Sequence, residues 1–291
     1  MSIHLIQDRL QSYQCRTSLE EEHAIREITQ EVILAALSRT DFFKHAVFQG
    51  GTCLRIFYGL NRFSEDLDFL LTHPNASFTL APYIKAAAKE LTAYGYEIET
   101  KDRSTVNTTV QKAFMKDTSA GKLIELSQAD KSGPMRSIRV KLEVDTNPPD
   151  GSEKDLKYID FPFVSQVSIQ SQPSLFAGKL HALLCRKYVK GRDWYDFLWY
   201  TGRQISVNLT FFLSALNQFG PWKDQNLDIT MKWCRDMLKK KINAIDWKAA
   251  VEDVSRFVKQ EEKPSLKLWC SDLFLSHLEK MNLRDVQKAP E

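Results

Sequence analysis

The sequence predicts an α+β fold, with strands and helices mixed in the first part of the chain and helices dominating the rest. Three observations predict it. Residues 19–38, LEEEHAIREITQEVILAALS, set Ile25, Ile28, Val32 and Ala36 on one stripe at helical spacing, behind an acidic start that suits the positive end of a helix dipole. The run SIRVKLEVD at 137–145 alternates, with Ile138, Val140, Leu142 and Val144 facing one way and Arg139, Lys141, Glu143 and Asp145 the other, as in a half-buried strand. Beyond Gln172-Pro173 the remaining pattern is mostly helical.

At 291 residues the chain is long enough for one large domain or two modest ones. The change of pattern at Gln172-Pro173 divides it into 1–172, a mixed core with N-terminal helices, and 173–291, a helical C-terminal domain. A hydrophobic share of 43% with 26% charged residues is ordinary for a soluble globular protein. No apolar run reaches membrane-span length, and MSIHLIQDRLQSYQ lacks a signal-peptide core, so no membrane is expected and the expected compartment is the cytoplasm. The cysteines, Cys15, Cys53, Cys185, Cys234 and Cys270, are odd in number and form no CxxC, which predicts buried free thiols rather than a disulfide framework or a zinc site. A net charge of +3 does not by itself announce a nucleic-acid binder.

In chain order, Val47 and Phe48 lead to a turn at Gly50-Gly51, Cys53 to Tyr58 reads as a short helix ended by Gly59, and Leu67 to Leu71 as a strand. Residues 77–94 read as a helix with Ile84, Ala87, Ala88 and Leu91 on one face. Strands follow at 96–100 and 105–115. NPPDGSEKD at 147–155 is a loop dense in turn residues, with a strand near 166–170 after it. Helices are expected at 174–189 and 193–201, and several more within 208–282.

The chemistry concentrates in FQGGTCLRIFYGLNRFSEDLDFLL, residues 48–71. Glycines ahead of a helix let backbone N–H groups and the helix dipole face an anion, so Gly50, Gly51 and the Thr52 hydroxyl form a candidate phosphate turn. Asp66 and Asp68 lie two apart on a strand and project from one face, where two carboxylates repel each other unless a cation joins them. Mg²⁺ commonly combines one or two carboxylates with substrate phosphates. A phosphate turn beside such a pair points to phosphoryl or nucleotidyl transfer; a solvated charged strand face is the alternative. Glu143, ahead of Asp145, is the candidate third carboxylate, as a further metal ligand or as a base, against the alternative of an exposed charged strand.

The second dense stretch is LFAGKLHALLCRKYVKGRDWYDFLWY, residues 175–200. On a helix Lys179, Leu183 and Arg186 share a face while Leu180 and Leu184 point inward. Asp193, one turn from Asp196, either caps its helix or orients Lys179 or Arg186. His181 has no sequence partner and reads as structural.

Together these motifs resemble the AbiEii family, the nucleotidyltransferase toxins of type IV toxin–antitoxin and abortive-infection systems. Gly50, Gly51 and Thr52 match its Gly-Gly-[Ser/Thr] turn. Arg62, Ser64 and Asp66 match its Arg-x-Ser-x-Asp, and Asp66 and Asp68 its Asp-x-Asp. KLEVD is similar to its Lys-Ile-Glu strand, and Lys179, Arg186, Arg192, Asp193 and Asp196 to its Lys…Arg…Arg-Asp-x-x-Asp motif. The similarity spans roughly residues 20–205. Thr52 stands where serine is also found, and the gap from Gly-Thr to Asp-x-Asp is longer than in many minimal nucleotidyltransferases. The resemblance implies a DNA polymerase β-like nucleotidyltransferase core, a mixed β-sheet flanked by helices, followed by a helical C-terminal part. It implies NTP as substrate, Mg²⁺ (or Mn²⁺), an acceptor RNA (for some relatives the tRNA 3′ end) and an antitoxin encoded alongside. Asp66 and Asp68, with Glu143, are then the metal ligands. Gly50, Gly51, Thr52, Arg62, Ser64, Lys179 and Arg186 bind the nucleotide, and Asp193 supports Lys179. An acceptor hydroxyl attacks the α-phosphorus and pyrophosphate leaves.

Acceptor RNA requires basic surface, for which Arg136, Arg139, Lys187, Lys190, Arg192 and Lys239-Lys240-Lys241 are the sequence candidates. Three alternatives share these residues: a kinase delivering the γ-phosphate to protein or RNA, an NTP- or RNA-binding module without catalysis, and a purely protein-interacting chain.

Overall fold

The computed structural model describes residues 2–103, 109–117, 138–225 and 227–284. The expected strand residues 105–108, Ser137 and the basic candidate Arg136 lie outside the described residues. The chain divides into two units. The first takes residues up to Gly59, Phe63–Pro148 and Asp155–Ile169; the second takes Leu60–Arg62, Pro149–Lys154 and the chain from Gln170 onward.

The first unit holds helices α1 (Ser2–Gln11), α2 (Ser18–Ser38), α3 (Phe42–His45), α4 (Gly50–Tyr58) and α5 (Ala81–Ala93). Its strands are β1 (Ala46–Gln49), β2 (Asp66–Leu71), β3 (Ile98–Asp102), β4 (Val110–Asp117), β5 (Ile138–Asp145), β6 (Lys154–Ile159) and β7 (Ser165–Gln170). Among the described residues these strands form one mixed sheet in the order β3-β4-β5-β2-β1-β7-β6. β2 runs parallel to β5 and antiparallel to β1, while β4 is antiparallel to both β3 and β5.

The predicted alternation on β5 is realised: Ile138, Val140, Leu142 and Val144 are buried, while Arg139 is exposed and Lys141, Glu143 and Asp145 are half-buried. The buried face packs on α2, and α5 covers β3 and β4. α2 starts at Thr17, whose hydroxyl accepts from Glu20 N at 3.2 Å while the Glu20 carboxylate accepts from Arg16 N at 2.8 Å, a variant of the capping box. Beyond its predicted stripe α2 also buries acidic residues, two of which are answered by cations: Glu27 by Arg55 at 2.8 Å and Glu31 by Arg9 at 2.6 Å.

β6 was not legible in the sequence. It is an edge strand whose first five residues are all exposed, so no two-residue alternation marks it. The helix predicted at 53–58 starts three residues earlier, so Gly50 and Gly51 form its first turn; Gly59 ends it in the left-handed conformation at φ 73°.

The second unit holds α6 (Gln172–Cys185), α7 (Gly191–Gly202), α8 (Leu209–Gln218), α9 (Met231–Asn243), α10 (Trp247–Ser255), a 3₁₀ segment (Lys263–Leu268) and α11 (Ser271–Leu278). Two short strands, β8 (Ser206–Asn208) and β9 (Asn282–Arg284), pair in parallel. The helix expected at 174–189 stops at Cys185, and Arg186 is extended at φ −68°, ψ 137°, so it does not share a helical face with Lys179. Leu183 is buried like Leu180 and Leu184. His181 is structural, with Nε2 3.0 Å from Phe219 O. The core is aromatic: Trp247 stacks on Phe274 with centroids 3.9 Å apart, and Trp194 meets both edge-on. All five cysteines are free, but only Cys53 and Cys234 are buried as expected; Cys15 and Cys185 are half-buried and Cys270 is exposed. Among the described residues no helix is long and apolar enough to cross a membrane.

α7 begins where its backbone runs against α10. A Cβ on Gly191 would stand 2.0 Å from Ala250 O, which only a backbone shift could relieve. Gly191→Ala is expected to destabilise the protein by about 1–3 kcal/mol or more, read as a fall in the urea midpoint; an unchanged midpoint would contradict this packing.

Candidate active site

In the first unit the strand register assembles the acidic face. Asp66 pairs with Lys141 and Asp68 with Glu143 across the parallel β2–β5 ladder, and residues opposite one another share a face. Asp66, Asp68, Lys141 and Glu143 therefore project together, all partly exposed, while Leu67 and Leu142 between them are fully buried. β1 ends at Gln49, opposite Asp68, and the next residue opens α4. Gly50 has φ +81°, and a Cβ there would lie 2.6 Å from Asp68 Oδ2, so the glycine is required twice over: for its conformation and for the approach of the carboxylate. The first turn of α4, with its N-terminal N–H groups and positive dipole end, thus abuts Asp68.

Thr52 departs from expectation. It is buried, and its hydroxyl donates to Asp66 O at 2.5 Å. A hydroxyl so engaged ties the α4 turn to β2 rather than facing a phosphate. Ser64 is half-buried, and its carbonyl accepts from Gln30 Nε2 at 3.2 Å, which holds the approach to β2.

Glu143 is also held differently from a free third ligand. Lys141 reaches it at 2.8 Å and Lys112, its neighbour on β4, at 3.1 Å. Burial favours its protonated form, but the two ammonium groups outweigh it and hold the carboxyl below the usual glutamate value. Burial works against the charge of Lys141, yet Glu143, Asp66 and Asp68 raise its pKa above that of an ordinary lysine. Among the described residues no three His, Cys, Asp or Glu side chains are grouped so as to hold a metal ion. Asp66 and Asp68 are a pair of hard oxygen donors beside a cradle that a Cβ at position 50 would fill, a donor set that fits Mg²⁺ completed by phosphate oxygens and water. The sequence placed Lys141 beside Glu143 on the polar face of its strand without pairing the two, and it did not single out Lys112, whose signal was the two-residue alternation of β4.

In the second unit a chain of buried ion pairs gathers the other motif residues. Arg62 is bidentate to Asp196, Nε to Oδ1 at 2.7 Å and Nη2 to Oδ2 at 2.6 Å, with both side chains almost wholly buried. Lys179 Nζ lies 2.8 Å from Asp196 Oδ2 and 2.6 Å from Asp193 Oδ1, and Arg186 Nη1 lies 3.0 Å from Asp193 Oδ2. Asp193 is inside the first turn of α7, whose N-cap is Lys190, so of the two sequence readings orientation of Lys179 and Arg186 is realised and capping is not. Burial alone would raise the Asp193 pKa; Lys179 and Arg186 outweigh it and hold the carboxyl below its ordinary value. Arg192 lies over the Phe257 ring at 4.0 Å, and Lys241 donates to Arg186 O at 3.1 Å.

A family model described as nucleotidyl transferase AbiEii toxin of type IV toxin–antitoxin systems matches residues 32–269. The chain belongs to the AbiEii family. The match takes in both the carboxylate face and the ion-pair chain, and makes this AbiEii protein a toxin-type nucleotidyltransferase. No curated protein matches the sequence. Among solved structures, the nucleotidyltransferase toxin MenT4 of Mycobacterium tuberculosis aligns over 94% of this chain and 99% of its own, with 16% identity and a TM-score of 0.52. JHP933 from Helicobacter pylori aligns over 89% of this chain and 94% of its own, with 19% identity and a TM-score of 0.49. The MenT4 likeness supports the nucleotidyltransferase fold with its mixed sheet and flanking helices.

Two outcomes follow from this geometry. Gly50→Ala is expected to cost only about 1–2 kcal/mol of stability for the left-handed backbone, yet to displace Asp68 and lower nucleotidyl transfer by about a hundredfold or more; a variant of full activity would show that Asp68 is not needed where it stands. The Asp193 pKa is lower folded than unfolded, so its contribution is present above the unfolded value near about 4 and is lost as pH falls through the folded value. Thermal melts of the wild type should therefore lose stability below about pH 4, and Asp193→Asn should flatten part of that loss while lowering stability by about 3–5 kcal/mol near neutrality.

Proposed function

We propose that this AbiEii-family chain transfers a nucleotide from an NTP to an acceptor RNA, with the tRNA 3′ end as the acceptor that the family resemblance implies, in a reaction that depends on Mg²⁺ (or Mn²⁺). The observation that carries the reading is the abutment of Asp68 on Gly50, which joins the Asp66–Asp68 pair to the helix N-terminus best suited to phosphate. Asp66 and Asp68 would hold the ion. When bound, it supplies neutralisation of the phosphates and polarisation of the α-phosphoryl group. The Gly50 and Gly51 N–H groups bind the β- and γ-phosphates, as helix N-termini bind anions. Thr52 and Ser64 fix the backbone on either side of the carboxylates.

Glu143 positions Lys141 rather than taking the acceptor's proton, because a carboxylate held below its ordinary pKa is a poor base at neutral pH. In the helical unit Lys179 and Arg186 are the cations for the anionic substrate. Asp193 and Asp196 keep them charged and in place, and Arg62 anchors Asp196. The residues work in the cytoplasm, opposed by an antitoxin partner.

The test is label transfer with RNA and cell protein, supplying each NTP with label at the α- or the γ-phosphate. Label from the α-position is expected in RNA, and Asp68→Ala is expected to reduce it about a thousandfold or more. Label arriving only from the γ-position would make the chain a kinase, and full activity in Asp68→Ala would remove the metal assignment.

A further inference from the structure

The sheet face that carries Asp66 and Asp68 continues across β5, β4 and β3 and changes character as it goes. On β4 Lys112, Phe114 and Lys116 alternate with buried Ala113 and Met115, so they stand on the face away from the core. Their partners across the ladders share that face: Lys141 and Lys101 beside Phe114, Arg139 and Glu99 beside Lys116, Glu143 beside Lys112. Arg103 joins them through its backbone bond to Lys112 O, and its guanidinium lies 5.4 Å from the Phe114 ring centroid. Lys101, Arg103 and Arg139 are exposed, and Phe114 and Lys116 are half-buried. Basic side chains thus outnumber the carboxylates Glu99, Glu143 and Asp145 on this part of the sheet. The hollow between Glu99, Lys101, Arg103, Phe114, Lys116 and Arg139 measures about 80 Å³, and Glu99 lies 3.5 Å from Lys116 Nζ. That is far below the several hundred Å³ that enclose a small ligand, so the feature is an open surface and not a small-molecule pocket.

A half-buried phenyl ring on the solvent side of a sheet, among cations that outnumber the carboxylates, suits an unpaired polynucleotide strand, whose phosphates meet Lys and Arg while a base stacks on the ring. From β2 to β3 is three strand spacings, about 14 Å, so such a strand lies within a short reach of the carboxylates. We propose that the β3–β4–β5 face docks a single-stranded segment of the acceptor RNA, with phosphates on Lys101, Arg103, Lys116 and Arg139 and a base on Phe114, leading its end toward Asp66 and Asp68. This rests on the reading of RNA as acceptor. It places the dock on this sheet face and not on the lysine run at 239–241.

The test measures binding of a fluorescein-labelled single-stranded RNA oligonucleotide by polarisation across a salt series, without NTP or metal, so that it is independent of catalysis. Lys101→Gln/Arg139→Gln, both exposed positions, should weaken binding and lower the log–log salt slope by about 1.4, at about 0.7 per phosphate contact on a single strand. Phe114→Ala should weaken binding roughly tenfold or more with the slope unchanged, as loss of stacking does. NTP-induced thermal shifts should stay as in the wild type for the double variant, which shows that the fold and the nucleotide site are intact. Wild-type affinity and slope in the double variant would overturn the proposal, as would a loss confined to Lys239→Glu/Lys240→Glu. α-label transfer that persists in the absence of any RNA binding would overturn the dock while leaving nucleotidyl transfer standing; loss of α-label transfer altogether would instead count against the function proposed above.

Discussion

The buried chain of alternating charges, Arg62–Asp196–Lys179–Asp193–Arg186, is the constraint on which the helical unit depends. Removing an ion from water costs several kcal/mol even after relaxation, and only close, multiply hydrogen-bonded geometry offsets that cost. Here the offset is built from both ends. Asp196, with no exposure, receives Arg62 through two parallel bonds and Lys179 through a third; Asp193 receives Lys179 and Arg186. No pair in the series is separable from the next, so α6, α7 and the Leu60–Arg62 segment are held in one arrangement. The series places three cations beside two carboxylates among the described residues, and its Arg186 end is the more exposed, about one-third open. Such a network holds positive charge in a fixed position.

The first unit solves the opposite problem, the holding of negative charge. Asp66 and Asp68 are forced onto one face by strand geometry, with Lys141 the resident cation in their field. Gly50 lets the backbone of α4 come against Asp68, where any side chain would collide. Thr52, by binding Asp66 O, locks the helix start to the strand that carries the carboxylates. The same ladder that aligns the acidic residues sets the basic and aromatic residues of β4 and β3 beside them, so one register fixes both the acidic face and the surface that extends from it.

Some of this architecture was legible because periodicity and local chemistry are short-range signals. The stripe of α2, the alternation of β5 and the Gly59 stop all depend on neighbours a few residues away, and the structure has them where the pattern puts them. The AbiEii motifs were legible for a related reason: their spacings are covalent. β6 was hidden because an exposed edge strand has no buried face to impose alternation. The length of α6 was hidden because nothing local marks Cys185 as an end.

By itself, then, the sequence determined the fold class and the family and pointed to the residues proposed for the chemistry, since each follows from composition, local pattern or motif spacing. Only the tertiary structure decided what those residues do with one another. Thr52 and Arg62 carry polar groups suited to phosphate, yet the fold commits the first to a backbone carbonyl and the second to Asp196, one hundred and thirty-four residues away in the chain. Glu143 is drawn to Lys112 across β4, and Phe114 meets Lys101 and Lys141 across two ladders. These pairings arise from strand register and helix packing, long-range contacts whose partners are chosen by burial of the core rather than by any signal along the chain.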